Sequence, residues 1–158
     1  MSQLLERRVV GCPYNLAQRY VADSVGPSAR SGVATRLELT VSGPGLELTK
    51  NVVAWFAPST DPMHFDQPWR LRWMPKAGPY PEFDGELTVR ADETYQTSLL
   101  ELRGTYRPPG GALGAAFDWA AGSRIATATA RELLKRIGEE MESRYQRDEQ
   151  AKLRSNAS

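Results

Sequence analysis

A single cysteine and a single histidine in 158 residues remove whole kinds of chemistry at the outset. Cys12 has no partner for an internal disulfide, and with His64 as the one imidazole there is no His/Cys set to hold zinc. No metal and no cofactor is expected. Neither sign of charge is in excess: 20 Lys plus Arg stand against 19 Asp plus Glu, a net charge of +1. That balance gives no general pull toward nucleic-acid phosphates, so a nucleic-acid partner is not expected. Also missing is any apolar run long enough to span a bilayer, and Met1 to Arg8 has no apolar signal-peptide core. A cytoplasmic chain without an integral membrane segment is the expectation.

What remains is ordinary globular composition, 41% hydrophobic and 25% charged, enough for one domain with a real core. The pattern divides sharply at Pro108-Pro109. A strand is expected at Arg7 to Gly11 and a short helix from Asn15 to Asp23, where Leu16, Ala17, Tyr20 and Val21 share a face. Leu37, Leu39 and Val41 then alternate with polar residues, and Ser42-Gly43-Pro44-Gly45 turns the chain into Leu46 to Phe56. Within that arm Leu46 and Leu48 have one parity and Val53 and Trp55 the other, which predicts a bulge or bend near Lys50-Asn51. Trp69, Leu71 and Trp73 form a further alternating strand. Phe83 to Arg90 and Tyr95 to Tyr106 make a second hairpin around Asp92-Glu93-Thr94.

Beyond Pro108 the pattern is helical: a turn or two over Leu113 to Ala121, then a long helix from Ser123 to about Arg147. Its apolar stripe is Ala126, Ala130, Leu133, Leu134, Ile137, Met141 and Tyr145. The expected organisation is a single domain over residues 1–147 with a polar, fraying tail at 148–158.

One helix must therefore serve a whole sheet. Six strands at about 4.8 Å spacing span roughly 29 Å, whereas a helix is about 10 Å across. The sheet has to curl, and Gly85 and Gly104 are placed to let it bend. Curling leaves a space walled by Trp69, Leu71, Trp73, Phe83, Leu87, Leu100, Leu102 and Tyr106, which Ala126, Ala130 and Gly138 would enlarge from the helix side. The alternative is that these aromatics simply fill the gap as core.

Trp73, the string Tyr80-Pro81-Glu82-Phe83-Asp84-Gly85, the run Leu102-Arg103-Gly104-Thr105-Tyr106-Arg107-Pro108-Pro109-Gly110, Leu113-Gly114 and Asp118 together resemble bacterial members of the START/polyketide-cyclase-like (SRPBCC) superfamily. The resemblance implies an α+β helix-grip fold, a curved antiparallel sheet of six or seven strands wrapped around a long C-terminal helix. It also implies a cavity, as in birch-pollen-allergen-like, lipid-transfer and ubiquinone-binding proteins. It carries no catalytic residue, because the superfamily shares none.

The reactive groups weigh toward structure. His64 lies in a Pro-bounded loop, and Cys12 has no charged neighbour in sequence to activate it. Tyr106 and Asp118 have structural uses at a strand end and a helix junction. Arg70, Arg72, Arg90, Arg103 and Arg107 share the outer face with Glu86 and Glu101, so cross-strand pairing accounts for them. The favoured function is non-enzymatic binding or transport of a small hydrophobic ligand, such as a lipid, quinone or polyketide. The expected ligand-binding residues are Trp69, Leu71, Trp73, Phe83, Leu87, Leu102, Tyr106, Ala126, Ala130, Leu133 and Ile137. A cyclase or aromatase-type enzyme and a protein-interaction module, possible as a homodimer, are the alternatives.

Overall fold

The structure, a computed structural model, describes residues 2–31, 35–43, 46–58, 68–77, 80–108 and 119–158. Eight elements follow along the chain: β1 (Ser2–Val10), α1 (Tyr14–Ser31), β2 (Thr35–Gly43), β3 (Leu46–Pro58), β4 (Trp69–Pro75), β5 (Glu82–Ala91), β6 (Ser98–Arg107) and α2 (Trp119–Asn156). The strands form one antiparallel sheet in the order β1-β6-β5-β4-β3-β2. Each strand from β2 to β6 pairs with its neighbour in sequence. Among the described strands only β1 reaches across the chain, with Arg7 opposite Glu101 and Leu4 opposite Gly104.

Period-two alternation decides which side of the sheet meets the helices. Leu71 and Trp73 on β4, Phe83, Leu87 and Val89 on β5, and Leu100, Leu102 and Tyr106 on β6 are buried on the inner face. Ala126, Ala130, Leu133, Leu134, Ile137 and Met141 of α2 are buried with them, and Tyr145 is half-buried, as the stripe requires. α1 closes another part of the core through Ala17, Tyr20, Val21 and Val25. So the long helix has a companion: α1 lies against β3 and α2.

Several sequence expectations are corrected. β1 begins at Ser2, five residues before the expected strand, because Leu4 already supplies a buried side chain opposite the glycine of β6. α1 continues to Ser31 with Pro27 inside it, since Val25 extends the buried stripe past Asp23. The bulge at Lys50-Asn51 does not exist: the β2–β3 register runs unbroken from Thr35↔Ala54 to Gly43↔Leu46. Val52, Ala54 and Phe56 are the buried row, with the same parity as Leu46 and Leu48, and Trp55 simply faces outward. α2 starts at Trp119 and runs to Asn156, so residues 148–156 are helical. A buried tyrosine explains part of that extension: the Tyr20 hydroxyl donates to Asp148 Oδ2 at 2.7 Å, and Arg144 lies 4.8 Å from the Tyr20 ring centroid.

Gly85 and Gly104 face each other in register across β5 and β6. A Cβ at Gly104 would lie 2.6 Å from the Gly85 Cα and 2.7 Å from Phe83 Cζ, and would also collide with the Asp84 carbonyl oxygen. The close approach, with the Phe83 ring laid over the glycine pair, is possible only without side chains at both positions.

Candidate functional site

The inner face gathers ten of the eleven expected ligand-binding residues into one buried layer: Leu71, Trp73, Phe83, Leu87, Leu102 and Tyr106 from the sheet, Ala126, Ala130, Leu133 and Ile137 from α2. Trp69 is half-buried at its edge. Register accounts for the contacts within the layer. Trp73 opposes Phe83, Leu87 opposes Leu102 and Phe83 opposes Tyr106. The Trp73 and Phe83 rings stack at 4.2 Å between centroids with 15° between planes. Trp73 is oriented at its other end, where Nε1 donates to the Pro81 carbonyl at 3.0 Å.

Gly138 does not enlarge this space. A Cβ there would meet Arg8 Nε at 2.9 Å and Val10 Cγ2 at 3.3 Å, so the glycine admits β1 against α2 instead. His64 and Asp118 lie outside the described residues, as do residues 113–118 of the turn expected over Leu113 to Ala121, whose last three residues are the start of α2.

Two polar groups that sequence reasoning did not place in the site sit within this apolar layer. The Tyr80 hydroxyl bonds Thr129 Oγ1, and Thr129 Oγ1 itself donates to the Ile125 carbonyl at 2.7 Å. Because the threonine proton is used on Ile125, Tyr80 is the donor in the pair. Both side chains are almost completely buried. Burial raises the Tyr80 pKa, with the Thr129 bond working the other way, so the group is a neutral phenol at physiological pH. The available signal was small: a tyrosine between Pro79 and Pro81, and a threonine among alanines on the buried stripe.

Cys12 is fully buried, and its thiol pKa is pushed up to about 11, first by burial and then by the Glu142 carboxylate. A nucleophile needs the thiolate, so Cys12 serves as packing. On the outer face, Glu101 is buried beneath Arg7 at 2.8 Å, Arg103 at 3.4 Å and Arg90 at 3.5 Å. Asp84 lies between Arg70 and Arg72 at 3.5 and 3.8 Å. A cavity of about 550 Å³ on this side is lined by Arg70, Arg72 and Asp84, together with Thr105 and Met74. Among its charged groups Arg70, Arg72 and Asp84 pair with one another, as cross-strand neighbours of opposite charge should.

Among the described residues no cluster of His, Cys, Asp and Glu is arranged for a metal ion, and no helix is long and apolar enough to cross a membrane.

No family model matches the chain, and no curated protein does. Solved structures do resemble it. A protein from Thermus thermophilus matches with a TM-score of 0.51 at 14% identity, over 89% of this chain and 97% of that one. An aromatase/cyclase from Streptomyces sp. R1128 matches with a TM-score of 0.43 at 14% identity, over 90% and 89%. A START superfamily protein from Mycobacterium smegmatis matches with a TM-score of 0.41 at 14% identity, over 92% and 97%. At such identities the likeness is one of fold alone. The chain shares with the Thermus thermophilus protein an α+β fold, here an antiparallel sheet followed by a long C-terminal helix.

Proposed function

We propose that this chain is START/polyketide-cyclase-like and binds a small apolar molecule, of lipid, quinone or polyketide type, between the inner face of its sheet and α2. The observation that carries the reading is the paired hydroxyls of Tyr80 and Thr129 set in an otherwise apolar wall. Burying such a pair costs desolvation that a purely structural core avoids by using Phe and Val. A ligand carbonyl or hydroxyl gives it a use, because the phenol is held neutral and can turn its proton from Thr129 to the ligand. Apolar burial supplies the driving force, and the hydroxyls supply orientation.

Room for the ligand comes from the Phe83 ring. It rests on the Gly85/Gly104 pair and stacks on Trp73, so a ligand entering beside Trp73 would have to displace this ring. The wall residues of the site are the eleven named above, with Tyr80 and Thr129 added.

The test is a titration of the purified chain with a long-chain fatty acid, a short-chain ubiquinone analogue and an aromatic polyketide, read by tryptophan fluorescence and native mass spectrometry. Saturable binding of at least one, weakened by Ala130→Leu in a protein that keeps its circular dichroism, is the expected result. A folded protein that binds none of the three, and that carries no extractable lipid or quinone when purified, would refute the proposal. A cyclase or aromatase-type activity is the second reading, favoured by the same Tyr80 phenol as a donor to a ketone. It requires turnover of a poly-β-ketone, which the Tyr80→Phe variant should then lose.

A further inference from the structure

Away from the inner wall, a second cavity of about 450 Å³ opens where α1 begins, lined by Tyr14, Tyr95 and Tyr145 with Asn15, Gln96 and Glu149 among its neighbours. That volume falls in the roughly 300–1,000 Å³ range of small-molecule sites. The three tyrosines come from three distant segments: the first residue of α1, the β5–β6 turn and the last third of α2.

The turn holds its tyrosine deliberately. Tyr95 has φ of 56°, the left-handed region that glycine or asparagine would occupy at less cost. Asp92 N donates to the Thr97 carbonyl at 3.3 Å, Tyr95 N to the Asp92 carbonyl at 3.1 Å, and Thr97 Oγ1 to Asp92 Oδ2 at 2.8 Å, which together close the turn. Tyr14 N then donates to the Tyr95 carbonyl at 3.2 Å, tying the turn to α1. Packing does not repay the strain, because Tyr95 remains 66% exposed. Its ring meets Tyr14 edge to face, centroids 6.5 Å apart and planes at 72°. A strained, exposed aromatic beside two others has no role in the core.

The electrostatics select a sign. Aromatic faces are negative, and Glu149 is the charged residue lining the cavity. The start of a helix ordinarily favours anions, but here the Leu16 and Ala17 amides donate to the Pro13 carbonyl and the Tyr14 amide is taken by Tyr95. Glu149 Oε1 accepts from Lys152 Nζ at 2.8 Å, an exposed pair that exchanges readily with another cation.

We propose that Tyr14, Tyr95, Tyr145 and Glu149 form a site for a small alkylated ammonium ion, bound by cation–π attraction and a carboxylate. It shares no residue with the inner wall, so either site stands if the other fails.

The test is an NMR titration of the full chain, following tyrosine ring resonances, with choline chloride, its neutral isostere 3,3-dimethyl-1-butanol, and sodium phosphate at matched ionic strength. Choline should bind with a Kd of about 1 mM, and the isostere about 10-fold more weakly. Tyr95→Ala should weaken choline about 5-fold while Tyr95→Phe stays within about 2-fold, since the ring rather than the hydroxyl carries the attraction. Glu149→Gln should weaken it about 3-fold. Equal affinity for choline and the isostere would overturn the proposal, as would phosphate binding in place of choline. No choline shift up to about 50 mM, or a Tyr95→Ala variant that is folded and binds choline normally, would overturn it equally.

Discussion

Replacing Gly104 by alanine tests the close approach of β5 and β6. The new methyl carbon would meet the Gly85 Cα at 2.6 Å and Phe83 Cζ at 2.7 Å, and would overlap the Asp84 carbonyl oxygen. The ring can rotate away, but the two backbone contacts cannot. The strands must separate, at an overpacking cost of about 1–3 kcal/mol, with about 1 kcal/mol more for each ladder hydrogen bond that lengthens. A loss near 3 kcal/mol is expected, out of the roughly 5–15 kcal/mol by which a domain is usually stable. Urea unfolding followed by circular dichroism measures it as a drop in midpoint at constant slope. Gly138→Ala is the control. There the methyl meets the flexible Arg8 side chain at 2.9 and 3.2 Å, and alanine gains about 1 kcal/mol of helix propensity, so the net change should stay within about 1 kcal/mol. An unchanged midpoint for Gly104→Ala, or a greater loss for Gly138→Ala, would refute the reasoning.

Thr129→Val leaves the buried Tyr80 hydroxyl without its acceptor and should cost about 1–3 kcal/mol, whereas Tyr80→Phe leaves Thr129 bonded to Ile125 and should cost less; thermal unfolding of the two variants checks the order. The Cys12 thiol has its folded pKa raised from 9.0 to about 11, so its contribution to stability is complete below pH 9 and is lost as pH rises through 11. Melting temperatures across that window should fall less steeply for Cys12→Ala than for the parent. Tyr20→Phe removes the hydrogen bond to Asp148, and hydrogen exchange should then quicken in residues 148–156 far more than in the sheet.

Much of this architecture is readable along the chain, because local pattern carries it. Leu71 and Trp73, Phe83 to Val89, and the α2 stripe each declare a buried face by spacing alone, and the inner wall follows from adding them. What failed depends on partners. The parity of β3 is hidden in the sequence because Trp55, a large aromatic, faces outward while Ala54, a small residue, is buried. Gly138 looked like room for a ligand until β1 brought Arg8 against it. The tyrosines at positions 14, 95 and 145 carry no common pattern, since only tertiary structure brings three such segments to one cavity.

The pairing of β1 with β6 has a consequence for synthesis. Arg7 and Glu101 are 94 residues apart, and at about 5–20 residues per second the first strand waits roughly 5–20 s on the ribosome before its partner exists. During that interval Leu4 and Val10, both buried in the finished fold, have no β6 to cover them. The hairpins of β2 to β5 are free to form meanwhile, so β1, made before the other strands, is among the last of them to find its place.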